Sequence, residues 1–306
     1  MSSLDNILYF QTGLGVLANV FLLYFYTCTI LYHRYKPMDL ISCQLTFIHI
    51  MMILTGGEIW LADIFESLNV KNDFKCKATF YIHRVMRGLS ICITCLLSLS
   101  QAVIISPSTS LLAKFKCKLK KYMINASFFI WSLNLSLSSR MFFYVGGFTN
   151  VSDTNQMKVT KSCSLFPMNY IIRGLILAVT TCRDVFLVGI MLITSTYMVI
   201  VLFRHQRQCK HLHSISHLRA SPEKSATQAI LLLVVFFVAM YWVDFTISST
   251  SVLLWIYEPV FLTVQKFVIN VYPTITPLVQ ISSDNRIINV LKILWSKRNQ
   301  IFFKKR

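Results

Sequence analysis

The chain has 306 residues, 55% of them apolar, and a mean hydropathy of +0.59, which excludes an ordinary soluble domain. Its formal charge of +18 would suit a nucleic-acid partner in a soluble protein. Here the basic residues collect in connections on one side of a series of apolar segments, which excludes that reading and marks a membrane topology instead.

Seven segments supply the ~20 mostly apolar residues that a helix needs to cross a bilayer core. In chain order they cover roughly 7–32, 39–62, 77–105, 122–145, 171–203, 225–254 and 259–282. The expected fold is an all-α integral membrane protein, a single seven-transmembrane helix bundle over residues 1–306 with a tail at 283–306. Too few residues, and no basic ones, precede the first segment to form the n-region of a signal peptide, so that helix is expected to serve as the insertion signal. The connections 33–38, 106–121, 204–224 and 283–306 carry nineteen Lys and Arg; residues 1–6, 63–76, 146–170 and 255–258 carry four. Basic residues are retained on the cytoplasmic side of short loops. The N-terminus is therefore expected outside and the C-terminus inside. Lys114, Lys116, Lys118, Lys120 and Lys121 are placed to meet anionic inner-leaflet lipid.

Gly56 and Gly57 loosen the second segment near its outer end, and Pro273 and Pro277 interrupt the seventh. Such breaks are tolerated where neighbouring helices or water satisfy the freed carbonyls, so the seventh helix is expected inside the bundle, its kink either a hinge or passive. Beyond Ser282, Ile287, Leu291 and Leu294 recur at helical spacing within 286–295, as in an amphipathic helix lying on the inner leaflet.

Of nine cysteines, Cys76 and Cys163 alone fall on the outer side. They are either two free thiols or a disulfide, and an oxidising exterior favours the disulfide. Cys92 and Cys95 stand mid-span without His or carboxylate neighbours, as packing residues do. His205, Cys209, His211, His213 and His217 match no closed zinc spacing, so no metal or cofactor is expected. Three sequons separate by side: Asn125 and Asn134 lie within the fourth segment, while Asn150 lies in an outer loop and is the expected glycan site.

Ionisable groups inside spans are costly and usually face a bundle interior or a wet cavity. Those of this chain fall in the outer halves or near mid-depth: Glu58, His83, Arg84, Arg87, Arg140, Arg173, Arg183, Asp184, Asp244 and Lys266. Arg84 and Arg87 would sit roughly 10–15 Å below the outer end of their helix, and His83 and Arg87 share a face by their i,i+4 spacing. The inner halves carry almost no charge. A polar cavity open to the outside above an apolar floor is the simplest arrangement, with Glu58, His83, Arg84, Arg87, Arg183, Asp184, Asp244 and Lys266 as candidate ligand contacts. Structural pairing among them is compatible with that role. No HExxH, GxSxG or intramembrane acidic pair points to an enzyme. A transporter using Arg183, Asp184 and Asp244 as a relay would open to both sides, which the charge-poor inner halves disfavour.

Longer strings are more specific. The third segment reads His83-Arg-Val-Met-Arg-Gly-Leu-Ser-Ile-Cys92, continues through Cys95-Leu-Leu-Ser98, and leaves as Gln101-Ala-Val-Ile-Ile-Ser-Pro107. The fifth holds Cys182-Arg-Asp-Val-Phe-Leu-Val-Gly189; the sixth follows Arg219-Ala-Ser-Pro-Glu-Lys224 and holds Met240-Tyr-Trp-Val-Asp-Phe245. The seventh reads Val271-Tyr-Pro-Thr-Ile-Thr-Pro277 and closes on Ile281-Ser-Ser-Asp284. Across its whole length the chain resembles the vomeronasal type-1 receptors, G protein-coupled pheromone receptors of mammals. The resemblance implies a multi-pass plasma-membrane receptor for a small chemosignal, coupled to a heterotrimeric G protein of the inhibitory class. It also implies the Cys76–Cys163 bridge and a glycan at Asn150. Gln101, Ser106 and Pro107, with Ser221, Pro222, Glu223 and Lys224, stand where the G protein would dock. Bitter taste receptors are a second short-tailed family, but the third- and sixth-segment strings argue against them. Unlike the large rhodopsin-like family, the chain has Leu99-Ser-Gln101 in place of an acidic-Arg-aromatic triplet and Tyr272-Pro273 in place of Asn-Pro. The usual inner ionic latch cannot form from that triplet.

Overall fold

The computed structural model describes residues 3–32, 37–56, 72–107, 113–116, 118–139, 141–147, 157–158, 163–166, 169–212, 231–232, 234–243, 245–247 and 259–304. Its principal helices are α1 (Ser3–Tyr32), α2 (Pro37–Gly56), α3 (Asn72–Ile105), α4 (Leu119–Ser138), α5 (Tyr170–Leu212), α6 (Val234–Ile247), α7 (Pro259–Ser283) and α8 (Asn285–Lys304). Among the described residues four helices are long and apolar enough to cross a membrane: Asn6–Tyr32, Met38–Gly56, Asp73–Ile105 and Tyr170–Arg204. Large side chains such as Phe10, Leu17 and Ile193 lie bare on their outer faces. Lipid is the solvent such a surface requires.

α3 is the hub. It packs against α2, α4 and α5 along its length and carries a small sheet at its N-terminal end. One apolar cluster joins α2, α3 and α4 through Ile41, Leu45, Ile48, Leu89, Ile93 and Met123. A second joins α3, α5, α6 and α7 through Ile91, Met191, Phe237 and Tyr272. The sheet is antiparallel with β3 (Cys163–Leu165) between β1 (Val145–Gly147) and β2 (Met157–Lys158). A bond between Cys76 and Cys163, whose Cα atoms are 5.6 Å apart, fastens β3 to the head of α3.

Several expected boundaries move. The fourth helix, expected to reach 145, ends at Ser138. There Ser139 donates both its N–H and its hydroxyl to the Ser136 carbonyl, at 3.2 and 2.7 Å. This local bonding competes with continuation of the α-helix; a single helical turn (Met141–Tyr144) then leads into β1. The fifth helix runs past the expected 203 to Leu212.

The seventh helix continues through both prolines. Pro277 has no N–H to give the carbonyl of residue 273, and the Asn19 side-chain amide of α1 donates to that carbonyl instead, at 2.8 Å. Asn19 is buried and also holds the Gly15 carbonyl at 2.8 Å. Gly15 lets α1 come this close, since a Cβ there would meet the Thr274 hydroxyl at 2.7 Å.

α8 extends to Lys304, well beyond the expected 295. Ile287 is fully buried with Leu22 and Tyr26 of α1, whereas Leu291 remains exposed. Arg286 donates to both oxygens of Asp39, at 2.8 and 3.2 Å, and to Asp284 at 2.9 Å, tying the start of α8 to the start of α2. Hydrogen bonding to Asp39 and then to Asp284 lifts the guanidinium above its ordinary pKa, against the burial that lowers it. A raised folded-state pKa keeps its contribution fully present below the unfolded value, so this tie is constant across neutral pH.

Candidate ligand cavity

A cavity of about 130 Å³ lies among α3, α4, α5 and α6. Arg84, Arg87 and Ile91 of α3 form one wall, Arg183 and Asp184 of α5 another, and Tyr241 of α6 closes the end. A smaller cavity of about 40 Å³ lies toward α7, with Ser90, Phe237 and Tyr272 in its wall. Arg87, Ile91 and Tyr241 border both. The Arg87 guanidinium carbon stands 6.0 Å from the Tyr241 ring centroid, at cation–π range.

The polar centre is Asp184, 7% exposed. Arg183 donates to its Oδ1 from Nε at 2.7 Å and approaches the same oxygen with Nη2 at 2.6 Å. The Tyr241 hydroxyl donates to the other oxygen, Oδ2. One carboxylate thus links α5 to α6. Arg183 also reaches α4, its Nη1 donating to the Asn134 amide oxygen at 3.4 Å. Asn134 is buried and spends its own amide hydrogens on the Ile130 carbonyl at 2.9 Å and the Cys92 sulfur at 3.7 Å.

Gly88 makes room for this meeting of α3, α4 and α5. A Cβ at that position would stand 2.2 Å from the Asn134 Oδ1 and 3.4 Å from Arg183 Nη1. Gly88→Ala is therefore expected to cost about 1–3 kcal/mol by overpacking, read as a fall of a few degrees in the melting temperature of the purified protein. Asn134→Ala in the same chain should recover part of it by clearing the space; a Gly88→Ala protein as stable as the parent would show the contact to be soft.

Of the expected ligand contacts, Arg84, Arg87, Arg183 and Asp184 meet at this one cavity. His83 does not join them. Its ring packs toward α2, where Nδ1 lies 3.1 Å from the Thr55 hydroxyl and Cε1 lies 3.4 Å from where a Gly56 Cβ would stand. Sharing a helical face with Arg87 is not sharing a cavity, because four residues advance a helix by roughly 6 Å. Lys266 is half-buried on α7, outside the walls of both cavities. Glu58 and Asp244 lie outside the described residues, as do Arg140, Asn150, Ser221, Pro222, Glu223, Lys224 and the Arg173 side chain.

Tyr241, Asn134 and Gly88 are parts of the site that sequence reasoning misses. The one available signal is polarity: Asn134 is a buried amide in an apolar helix, and such groups seek partners.

At the other end of α3, Pro107 is exposed, but Ser106 is buried and turns inward. Its hydroxyl lies 3.0 Å from that of Tyr197 on α5, and its carbonyl accepts from Lys116 at 2.6 Å. A second hydroxyl pair, Ser98 and Thr194 at 2.7 Å, joins the same two helices. Gln101 is half-buried. Among the described residues no three His, Cys, Asp or Glu side chains gather as a metal site would require.

The chain matches the family described as the vomeronasal organ pheromone receptor family over residues 2–293. It is 41% identical to vomeronasal type-1 receptor 90 of Rattus norvegicus over 290 residues, covering 94% of this chain and 93% of that one. It is 36% identical over 293 residues both to vomeronasal type-1 receptor 100 of Rattus norvegicus, at 95% and 89% coverage, and to vomeronasal type-1 receptor 48 of Mus musculus, at 95% and 96%. With the family matched over nearly its whole length and these relatives covered over most of theirs, the chain belongs to the vomeronasal type-1 family of pheromone receptors.

Proposed function

We propose that this protein is a seven-span plasma-membrane receptor, N-terminus outside, which binds a small chemosignal in the cavity among α3, α4, α5 and α6 and activates an inhibitory-class heterotrimeric G protein. The observation that carries the reading is the polar junction at that cavity, where Asp184 couples α5 to α6 beside the guanidinium groups of Arg84, Arg87 and Arg183. A ligand oxygen meeting Arg183 or Tyr241 competes with Asp184 for the same hydrogens. Binding then has a differential free energy between two settings of α5 against α6, which is what a ligand needs to shift a population. The change would reach the cytoplasmic side through α3 and α5, joined there by the Ser98–Thr194 and Ser106–Tyr197 pairs.

On this reading Glu58 and Asp244 are further ligand contacts, Lys266 stands outside the cavity walls and is not one, and Asn150 carries a glycan. The docking surface combines Gln101, Ser106 and Pro107 with Ser221, Pro222, Glu223 and Lys224. The docking role of Ser106 is indirect, since its hydroxyl is turned inward toward α5.

The test is guanine-nucleotide exchange on an inhibitory-class G protein, in membranes displaying the chain, with and without a pooled chemosignal panel. Ligand-stimulated exchange is the expected result. Exchange equal to that of membranes lacking the chain, across the panel and with display confirmed, would count against coupling to this class and bring transport assays forward.

A further inference from the structure

Among the described residues the cavity has a gap in its wall between α4 and α5. α4 and α5 both pack along α3, yet along their described lengths they scarcely touch one another. The cause is the early end of α4. It stops at Ser138, about one turn beyond Asn134, and turns toward the sheet, while α5 begins at Tyr170, more than about three turns before Arg183, which donates to Asn134 at 3.4 Å. About 15 Å of α5 therefore rises beyond the level at which α4 ends. Two residues of the cavity wall stand in this gap with much of their surface bare, Leu137 of α4 at 37% and Val179 of α5 at 51% exposure. Above them Ile171 and Leu175 are also exposed, an apolar face that only hydrocarbon suits.

Depth decides what fills the gap. Tyr170, exposed at the outer end of α5, is the kind of residue that sits at a membrane interface. The gap lies about 15 Å below it, within a hydrocarbon core ~30 Å thick. An opening at that level meets acyl chains, not water.

We propose that the ligand reaches this cavity sideways from the bilayer, through a portal between α4 and α5 whose rim is Leu137 and Val179. The inference rests on the ligand-site reading above and adds the route and the class of molecule that can take it. A cavity of ~150 Å³ holds a benzene ring, so about 130 Å³ suits a ring-sized or short-chain body. Leu137, Leu177 and Val179 give the α4 and α5 walls apolar surface, and Arg183 and Tyr241 supply hydrogen-bond donors to the same cavity. The ligand class is accordingly a small lipophile bearing a hydrogen-bond-accepting oxygen, concentrated in the membrane before it binds. The Thr180 hydroxyl does not obstruct the approach, because it donates to the Ile176 carbonyl at 2.8 Å.

The test uses the intact chain in phosphatidylcholine vesicles and two photoreactive probes. One is the lipid-soluble trifluoromethyl-phenyl-diazirine; the other is a carboxylate-bearing diazirine added in the outer water. Labelled residues are mapped by peptide mass spectrometry. Ile91 and Ser138 line the cavity at 2% and 5% exposure and take label only from a probe inside it; Ile193, 72% exposed, reports the lipid face, and Ile93, at 0%, reports background. The expected result is label at Ile91 and Ser138 from the lipid-soluble probe alone, lost in Val179→Trp while Ile193 keeps its label. Label from the charged probe, or lipid-soluble label that Val179→Trp leaves untouched, overturns the portal and leaves the ligand site standing. Label at Ile193 with none at Ile91 or Ser138 from either probe overturns both the portal and the ligand site.

Discussion

Asp184→Ala is expected to remove most of the receptor from the cell surface. The carboxylate accepts from Arg183 Nε and from the Tyr241 hydroxyl, with Arg183 Nη2 in ion-pair contact at 2.6 Å, while only 7% exposed. Without it the guanidinium keeps only the Asn134 oxygen at 3.4 Å among its described protein partners, and the phenol loses its acceptor. Removing one partner of a buried ion pair costs about 3–5 kcal/mol, because the remaining charge is left unpaired in a low dielectric. That is a large share of a total stability of about 5–15 kcal/mol. Asp184→Asn keeps the shape and one acceptor and should fall between the two. The double change Arg183→Gln with Asp184→Asn should regain display over Asp184→Ala, since no lone charge remains. Surface biotinylation normalised to total protein measures all three. Full display of Asp184→Ala would mean that Arg183 finds another counter-charge at no cost.

Replacing Cys76 or Cys163 by serine is expected to have an effect nearly as large, and the same for either residue. The bond closes a loop of 87 residues, for which the chain-entropy account gives a ceiling of about 4–5 kcal/mol. The realised value should be lower, about 2–4 kcal/mol, because helices already inserted in a bilayer are not a free chain. Locally the bond holds β3, and β1 beside it, against the head of α3, burying Cys76, Val145 and Cys163 against Phe80. Both single variants and the double variant should therefore lose thermal stability equally, and a reducing agent should affect the parent but none of the three. Unequal single variants would sink the common cause. Release of the sheet should also loosen the segment that leads from the end of α4, and with it the rim of the cavity.

The membrane character of the chain was legible because its cause is local. A bilayer requires a run of apolar residues wherever it sits in the chain, and the α1, α2, α3 and α5 segments meet that requirement within their own lengths. Local rules also anticipated that a freed proline carbonyl in α7 would need a donor from a neighbour, which Asn19 is found to be. Helix ends were less legible. A serine pair at 136 and 139 ends α4 one and a half to two turns before the apolar run does, since apolar runs report tolerance of lipid, not backbone bonding.

The gathering of charged residues toward one end of the helices was likewise a property of the sequence, but their grouping was not. Arg183 and Asp184 are neighbours in the chain, yet nothing in their spacing identifies Tyr241 or Asn134 as the partners that complete the cluster. His83 and Arg87 lie on one helical face by spacing, and the fold directs one to α2 and the other to the cavity.

The physical reason is that a helix apolar on nearly every side has no strong preference for how it is turned about its axis. Its rotation is decided by where backbones can approach, and here small residues do that: Gly15 against Thr274, Gly56 against Asn270 and His83, Gly88 against Asn134. The amino-acid sequence by itself determined that this protein is a bundle of membrane helices with polar groups toward one end. Only the tertiary structure decided which of those groups share a cavity, because close packing at three glycines, and not hydrophobic periodicity, sets the helices against one another.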